Sequence, residues 1–268
     1  MHWLENAPLW AIGLAILAAL AIVHELSAAA GRRLAVGSGS EDGRGYLVSS
    51  ALGLLALMMA FSFSAAQSRF DLRQAMVGQE AVAMGTAYLR TQLAPSPWRE
   101  RLGAGMLEYA EVRSRFFRAA EDPEQLTANL KAGDRAQQGL WTTLDDEIRA
   151  NPTSTVNITL IQALNEMFDA ADLRLAAQQR RIPIAVLRML AFFSLAVAGV
   201  VGFAGAGGSR RLLVVSGIVL VLITLAYTMI LDLDRPGSGT VSIRQEALER
   251  TIAAIRRGES ARAPAPVR

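Results

Sequence analysis

The chain has 268 residues, no cysteine, two histidines and a formal net charge of +3, carried almost wholly by arginine because Lys131 is the only lysine. Disulfides and thiolate metal sites are excluded, and two histidines supply too few ligands for a multi-histidine metal centre. No basic face with a base-reading module accompanies the positive balance, so arginines beside membrane spans account for it and nucleic acid does not.

The positive mean hydropathy is gathered into four apolar blocks. Each is about long enough to cross the ~30 Å hydrocarbon core as a helix, the pattern of a multi-pass membrane protein. The first block, about Ala7 to Val23, has Trp3 and Trp10 on one side and His24-Glu25 on the other. Met1 to Pro8 holds Glu5 and no basic residue, so it lacks the positive start of a cleavable signal and a retained span is expected. Gly31 to Gly45, with Gly37-Ser38-Gly39-Ser40 and Gly43-Arg44-Gly45, reads as a loop. The second span, about Tyr46 to Ala65, sets Ser49, Gly53, Ala60, Ser64 and Ser68 at intervals mostly of four. Such a stripe suits either close helix packing or a pore lining.

No proline separates this span from an amphipathic stretch with Phe70, Val77, Met84 and Tyr88 on one face and Arg69, Asp71, Arg73, Gln74 and Glu80 at the other positions. One helix is therefore predicted from Val48 to Leu93, roughly 70 Å at 1.5 Å per residue, with Gly78 and Gly85 as its weak points. Pro95 and Pro97 end it. A second amphipathic helix carries Leu102, Met106, Tyr109, Val112 and Phe116 on one face. Asp122-Pro123-Glu124 has the grammar of a helix start, and the helix it opens carries Leu126, Leu130, Leu140, Leu144 and Ile148. After Asn151-Pro152 a fourth helix carries Ile158, Ile161, Leu164, Phe168, Ala171 and Leu175. Four such helices with short connections predict an antiparallel bundle.

Arg180-Arg181-Ile182-Pro183 leads into the third span, about Ile184 to Ala206, with Arg188 one turn inside, where it either snorkels to the interface or faces a polar interior. After Gly207-Gly208-Ser209-Arg210-Arg211 the fourth span, about Leu212 to Leu231, places Ser216, Leu220, Thr224, Thr228 and Asp232 at four-residue intervals. That stripe is either interhelical glue or the wall of an aqueous path. Beyond Asp234-Arg235-Pro236 and a Gly-Ser-Gly linker comes a short amphipathic helix with Ile243, Leu248, Ile252 and Ile255, opened by a capping-box spacing of Ser242 and Gln245. The tail from Gly258 is expected to be disordered.

Several stretches resemble the bestrophin-like membrane proteins of bacteria and plants, a family named for a domain of unknown function. They are Phe61-Ser62-Phe63-Ser64 leading to Ser68-Arg69-Phe70-Asp71, then Glu80 with Gly85-Thr86-Ala87-Tyr88-Leu89-Arg90. Further on are Leu164-Asn165-Glu166-Met167-Phe168-Asp169, and Leu231-Asp232-Leu233-Asp234-Arg235-Pro236 followed by Ser242 to Leu248. Together these cover most of residues 46 to 250. The resemblance implies a relation to bestrophins, which are pentameric anion channels with four spans and long helices continuing into the cytosol. No bestrophin pore neck or calcium-clasp cluster matches residue by residue.

The expected fold is an all-α membrane protein with four transmembrane helices and a helical bundle inserted between spans two and three. Its parts are spans one and two with the glycine-rich loop (1–65), an amphipathic four-helix domain (66–181), spans three and four (182–232), and a linker, short helix and tail (233–268). No nucleophile elbow, phosphate loop, zinc motif or dinucleotide fingerprint occurs, so neither an enzyme nor a cofactor is expected. Glu166 and Asp169 are expected to face Arg69, Arg73 or Arg174 across the bundle, and Asn165 to set helix register from a buried position.

Two functions fit. One is an oligomeric bestrophin-like ion channel lined by spans two and four, where Asp232 and Asp234 would form acidic rings that favour cations and Arg188 would oppose them. The other is a non-conducting membrane protein whose helical domain binds a partner or senses the envelope. Expected partners are the lipid bilayer, further copies of the chain and a permeant ion. The arginine-rich, lysine-poor composition suggests a bacterial inner membrane. Arg32-Arg33 and Arg210-Arg211 argue for short cytoplasmic loops, while Arg69, Arg73, Arg174, Arg180 and Arg181 argue for a cytosolic helical domain. The bestrophin analogy sides with the latter, and the domain is read as cytosolic.

Overall fold

The computed structural model describes residues 7–34, 41–116, 123–207, 210–235 and 241–262. Among these residues the chain forms eight helices and no strand: α1 (Leu9–Arg33), α2 (Glu41–Thr91), α3 (Trp98–Phe116), α4 (Pro123–Ala150), α5 (Val156–Gln179), α6 (Ile184–Ala204), α7 (Arg210–Asp234) and α8 (Glu246–Ser260). Four helical stretches are long and apolar enough to cross a membrane, within Leu9–Arg33, Gly45–Thr91, Val156–Ala204 and Arg210–Asp234. The expectations for Gly37 to Ser40, for Pro236 to Gly239 and for the tail beyond Arg262 fall outside the described residues.

Two compact units divide the chain after Arg69 and after Arg180. The membrane unit contains α1, the first part of α2, α6 and α7. In it α1 packs against both α6 and α7. The crossing of α1 and α6 is closed by glycine: a Cβ added at Gly202 would lie 2.2 Å from the His24 carbonyl oxygen, and one at Gly31 would lie 2.6 Å from Ala206 Cβ. Small residues are the means by which membrane helices approach this closely. Gly31 was expected to begin a loop, yet α1 continues to Arg33. Its last-turn arginines, Arg32 and Arg33, complement the negative end of the helix dipole. Likewise Gly43-Arg44-Gly45 lies within α2, because the cost of glycine in a helix, about 1 kcal/mol each, is small beside the hydrogen bonds of a long one.

The helical unit holds five helices, one more than the spacing of apolar residues suggested. Its core joins Val77 and Met84 of α2, Leu102, Met106 and Tyr109 of α3, Leu140 and Leu144 of α4, and Leu160, Leu164 and Phe168 of α5. Leu248, Ile252 and Ile255 of α8 are buried in that same core. The C-terminal helix therefore completes the unit, and it extends through Gly258 to Ser260, where disorder was expected. Leu126 and Leu130, at the start of α4, are only half-buried. Tyr109 and Phe168 meet edge to face, 5.8 Å between ring centres, a favourable aromatic geometry. Neither Gly78 nor Gly85 interrupts α2, which contributes to both units as a single helix.

Candidate functional site

Two sets of polar groups stand out, one on the membrane helices and one inside the helical unit. On α2 the small-residue stripe does not form a seam within the chain. Ser49, Gly53, Ala60, Ser64 and Ser68 are all exposed, and the buried positions of this part of the helix are Leu55, Met59, Ser62 and Ala66. Packing with the chain's own helices thus uses a different face, offset along the same four-residue rhythm. Ser62 returns its hydroxyl to the Met58 carbonyl at 2.8 Å.

On α7 the outcome is the opposite. Ser216, Thr224 and Asp232 are buried and Thr228 is half-buried. Thr224 donates to the Leu220 carbonyl and Thr228 to the Thr224 carbonyl, both at 2.9 Å, which satisfies the hydroxyls without water. A Cβ at Gly13 of α1 would sit 3.2 Å from the Thr228 methyl, so this part of the stripe lies close against α1. Asp234 is buried as well, accepting the Ile182 N–H at 2.9 Å in the link before α6. Arg235 donates to the Ala7 carbonyl at 2.9 Å. Both acids at the end of α7 are therefore buried. Arg188 is exposed.

Within the helical unit, Glu80 has no exposed surface, and its two oxygens accept from the buried Arg113 of α3 and Arg174 of α5. Burial weighs most on both guanidiniums. It leaves Arg174 below the ordinary arginine value, whereas the charge and hydrogen bond of Glu80 help to hold Arg113 above it. Arg174 also donates to Gln245 Oε1 at 2.9 Å, and buried Arg73 donates to the Arg180 carbonyl at 2.9 Å. Gln74 makes a reciprocal pair with the Arg244 backbone, at 3.1 Å and 2.8 Å. One carboxylate thus ties three helices together, and the residues leading into α8 are fastened to the same cluster. Gln245 is spent on Arg174, and α8 begins without a side-chain cap, so the anticipated capping box does not form.

This centre differs from the expected network. Asn165, Glu166 and Asp169 are exposed on α5, so they neither set register nor meet the arginines. Arg73 and Glu80, assigned to the polar side of α2, lie on its buried side with Val77 and Met84. The signal lies in the spacing: 73, 77, 80, 84 and 87 step by three or four, so the two charged residues share the period of the apolar ones. Of the other resemblance residues, Asp71 is exposed, Tyr88 donates its hydroxyl to Glu259 at 2.9 Å, and Arg90 is half-buried with Nη1 lacking a hydrogen-bond partner. Pro236 lies outside the described residues.

A second buried carboxyl, Glu147 near the end of α4, follows the exposed Asp145 and Asp146 in sequence but shares the buried face of Leu140 and Leu144. It is shut off from water, neither oxygen has a hydrogen-bond partner, and Oδ1 of nearby Asn157 has none either. Burial raises its pKa above the ordinary glutamate value, only partly offset by the Asn151 side chain. A raised folded-state pKa means that folding favours the proton. The associated stability is present below the ordinary glutamate range and is lost as pH rises through the folded value. Glu147→Gln is thus expected to be more stable than the parent at about pH 8, with the gap closing towards about pH 4. Thermal unfolding across pH checks this, and a pH-independent difference would refute it.

A family model for the Bestrophin-like domain matches residues 12–248. Comparison with curated proteins returns no match. Among solved structures, a mutant of the bacterial Bestrophin homolog from Klebsiella pneumoniae superposes with TM-score 0.69 at 14% identity, over 96% of this chain and 98% of that one. Another structure of the Klebsiella pneumoniae homolog gives TM-score 0.65 at 16% identity over 94% and 98% of the two chains. A further structure, described as a membrane protein, gives 0.63 at 16% over 94% and 97%. These likenesses establish the fold; with the domain matched across nearly the whole length, the chain belongs to the Bestrophin-like family.

Proposed function

We propose that the chain is one subunit of an oligomeric ion channel in a bacterial inner membrane, with the outward face of α2 lining the shared path and the helical unit in the cytosol. The observation that carries this reading is the contrast between the two stripes: the small, hydroxyl-bearing face of α2 is exposed, whereas that of α7 is consumed by packing. One chain offers one such face, and a path requires several copies around an axis. Family membership supports the channel class. The burial of Asp232 and Asp234 supports giving the lining to α2 in this reading.

The cysteine-free sequence allows a clean test. In reconstituted protein, Ser64→Cys is expected to react with a membrane-impermeant thiol reagent and lose most of its current, while Thr224→Cys is expected to keep it. Equal behaviour of the two variants would remove α2 from the lining. Liposomes that pass no ion over a wide range of salts, or a protein that is monomeric in detergent, would sink the channel itself. A reporter fused after Arg268 tests the orientation.

A further inference from the structure

The membrane unit contains a cavity of about 490 Å³ between α1, α6 and α7, within the range that holds a small ligand, ~300–1,000 Å³. Its body is apolar, with Ile12, Ile16 and Leu20 of α1 facing Leu187, Leu195 and Leu231. The polar groups on the wall are already served by backbone: Ser194 donates to the Leu190 carbonyl and Tyr227 to the Leu187 carbonyl, both at 2.8 Å. Along α1 the lining recurs at residues 12, 16, 19 and 20, and along α6 it runs from 184 to 195. At 1.5 Å per residue the slot follows the helices for roughly 12–16 Å.

One end of the slot is different. Arg181, Arg188, Asp234 and Arg235 gather there. Asp234 is engaged with the Ile182 N–H. Arg181 and Arg188 are exposed, and neither forms an ion pair among the described residues. The same end holds the start of α6, whose dipole is positive. Basic pockets between membrane helices recognise anionic headgroups.

From this juxtaposition the geometry points to a bound anionic phospholipid, its acyl chain in the slot between α1 and α6 and its phosphate held by Arg181 and Arg188. A long apolar slot fits a chain and not a free phosphate, and the charged rim favours an anionic over a zwitterionic head. Arg188, a turn inside the span, thus has an anion to meet at the interface instead of merely reaching for water. The inference is independent of ion conduction.

The test uses full-length protein in detergent, titrated with phosphatidylglycerol, with phosphatidylcholine of the same chains, and with glycerol 3-phosphate, read by native mass spectrometry and thermal unfolding. Phosphatidylglycerol is expected to bind best and to raise the melting temperature. The double variant Arg181→Gln/Arg188→Gln should lose roughly thirtyfold in affinity for it, and Ala19→Trp, which fills the slot without altering charge, should weaken both lipids. Equal binding of the two lipids, an unchanged affinity in the arginine variant, or glycerol 3-phosphate binding as tightly as the lipid would each overturn the proposal. Should Ala19→Trp misfold, the surface arginine pair still decides.

Discussion

Glu80→Gln is expected to cost the helical unit about 3–5 kcal/mol, because it leaves the guanidiniums of Arg113 and Arg174 buried without their carboxylate. That is a large part of the ~5–15 kcal/mol that holds a typical domain together, so the variant should melt far below the parent or fail to accumulate. The penalty comes from stranded charge more than from a lost attraction, since taking ions out of water costs nearly as much as pairing them returns. Replacing Glu80, Arg113 and Arg174 together by methionine should therefore be much milder than Glu80→Gln alone. Glu166→Gln and Asp169→Asn, at exposed positions, should stay within about 0.5 kcal/mol of the parent. Thermal unfolding followed by circular dichroism in detergent distinguishes these cases. A Glu80→Gln protein as stable as the Glu166→Gln protein would show that the triad does not hold the unit.

Gly202→Ala carries the second large effect, in the membrane unit. The added methyl would lie 2.2 Å from the His24 carbonyl oxygen and within 3.0 Å of two further backbone atoms, and backbone cannot swing aside as a side chain can. Helices α1 and α6 must separate, losing dispersion contacts along their crossing, at about 1–3 kcal/mol or somewhat more. The control is Gly217→Ala on α7, where a Cβ meets nothing within 4 Å and helix propensity alone favours alanine by about 1 kcal/mol. The two substitutions should move the unfolding midpoint in opposite directions. If both stabilise, the close crossing of α1 and α6 is not a feature of the folded protein.

The membrane helices were legible because their signal is one of amount: enough consecutive apolar residues to cross the hydrocarbon leave little choice of structure. The continuity of α2 was legible for a similar reason, as no proline stands between its apolar and amphipathic parts. The partners of each face were not legible. Both α2 and α7 carry hydroxyl and small residues at intervals of four, and nothing local says which stripe meets a neighbouring helix. The structure buries Ser216 and Thr224 and exposes Ser64 and Ser68. Burial is settled by residues far away in sequence, such as Gly13 against Thr228.

Arg73, Glu80, Arg113 and Arg174 illustrate the same limit in the helical unit. A charge on an amphipathic helix is assigned to water by default, and the exception is tolerated only where opposite charges converge from several helices. Here Glu80 and Arg174 stand 94 positions apart, so their meeting could be found only in three dimensions. By itself, then, the sequence determined that this is a helical membrane protein with an inserted helical domain, and its motifs pointed to the family. Tertiary structure alone decided that α8 closes the domain, that Glu80 is its buried anchor, and that the exposed stripe belongs to α2. Periodicity reports which residues share a face, whereas burial depends on what comes to cover it.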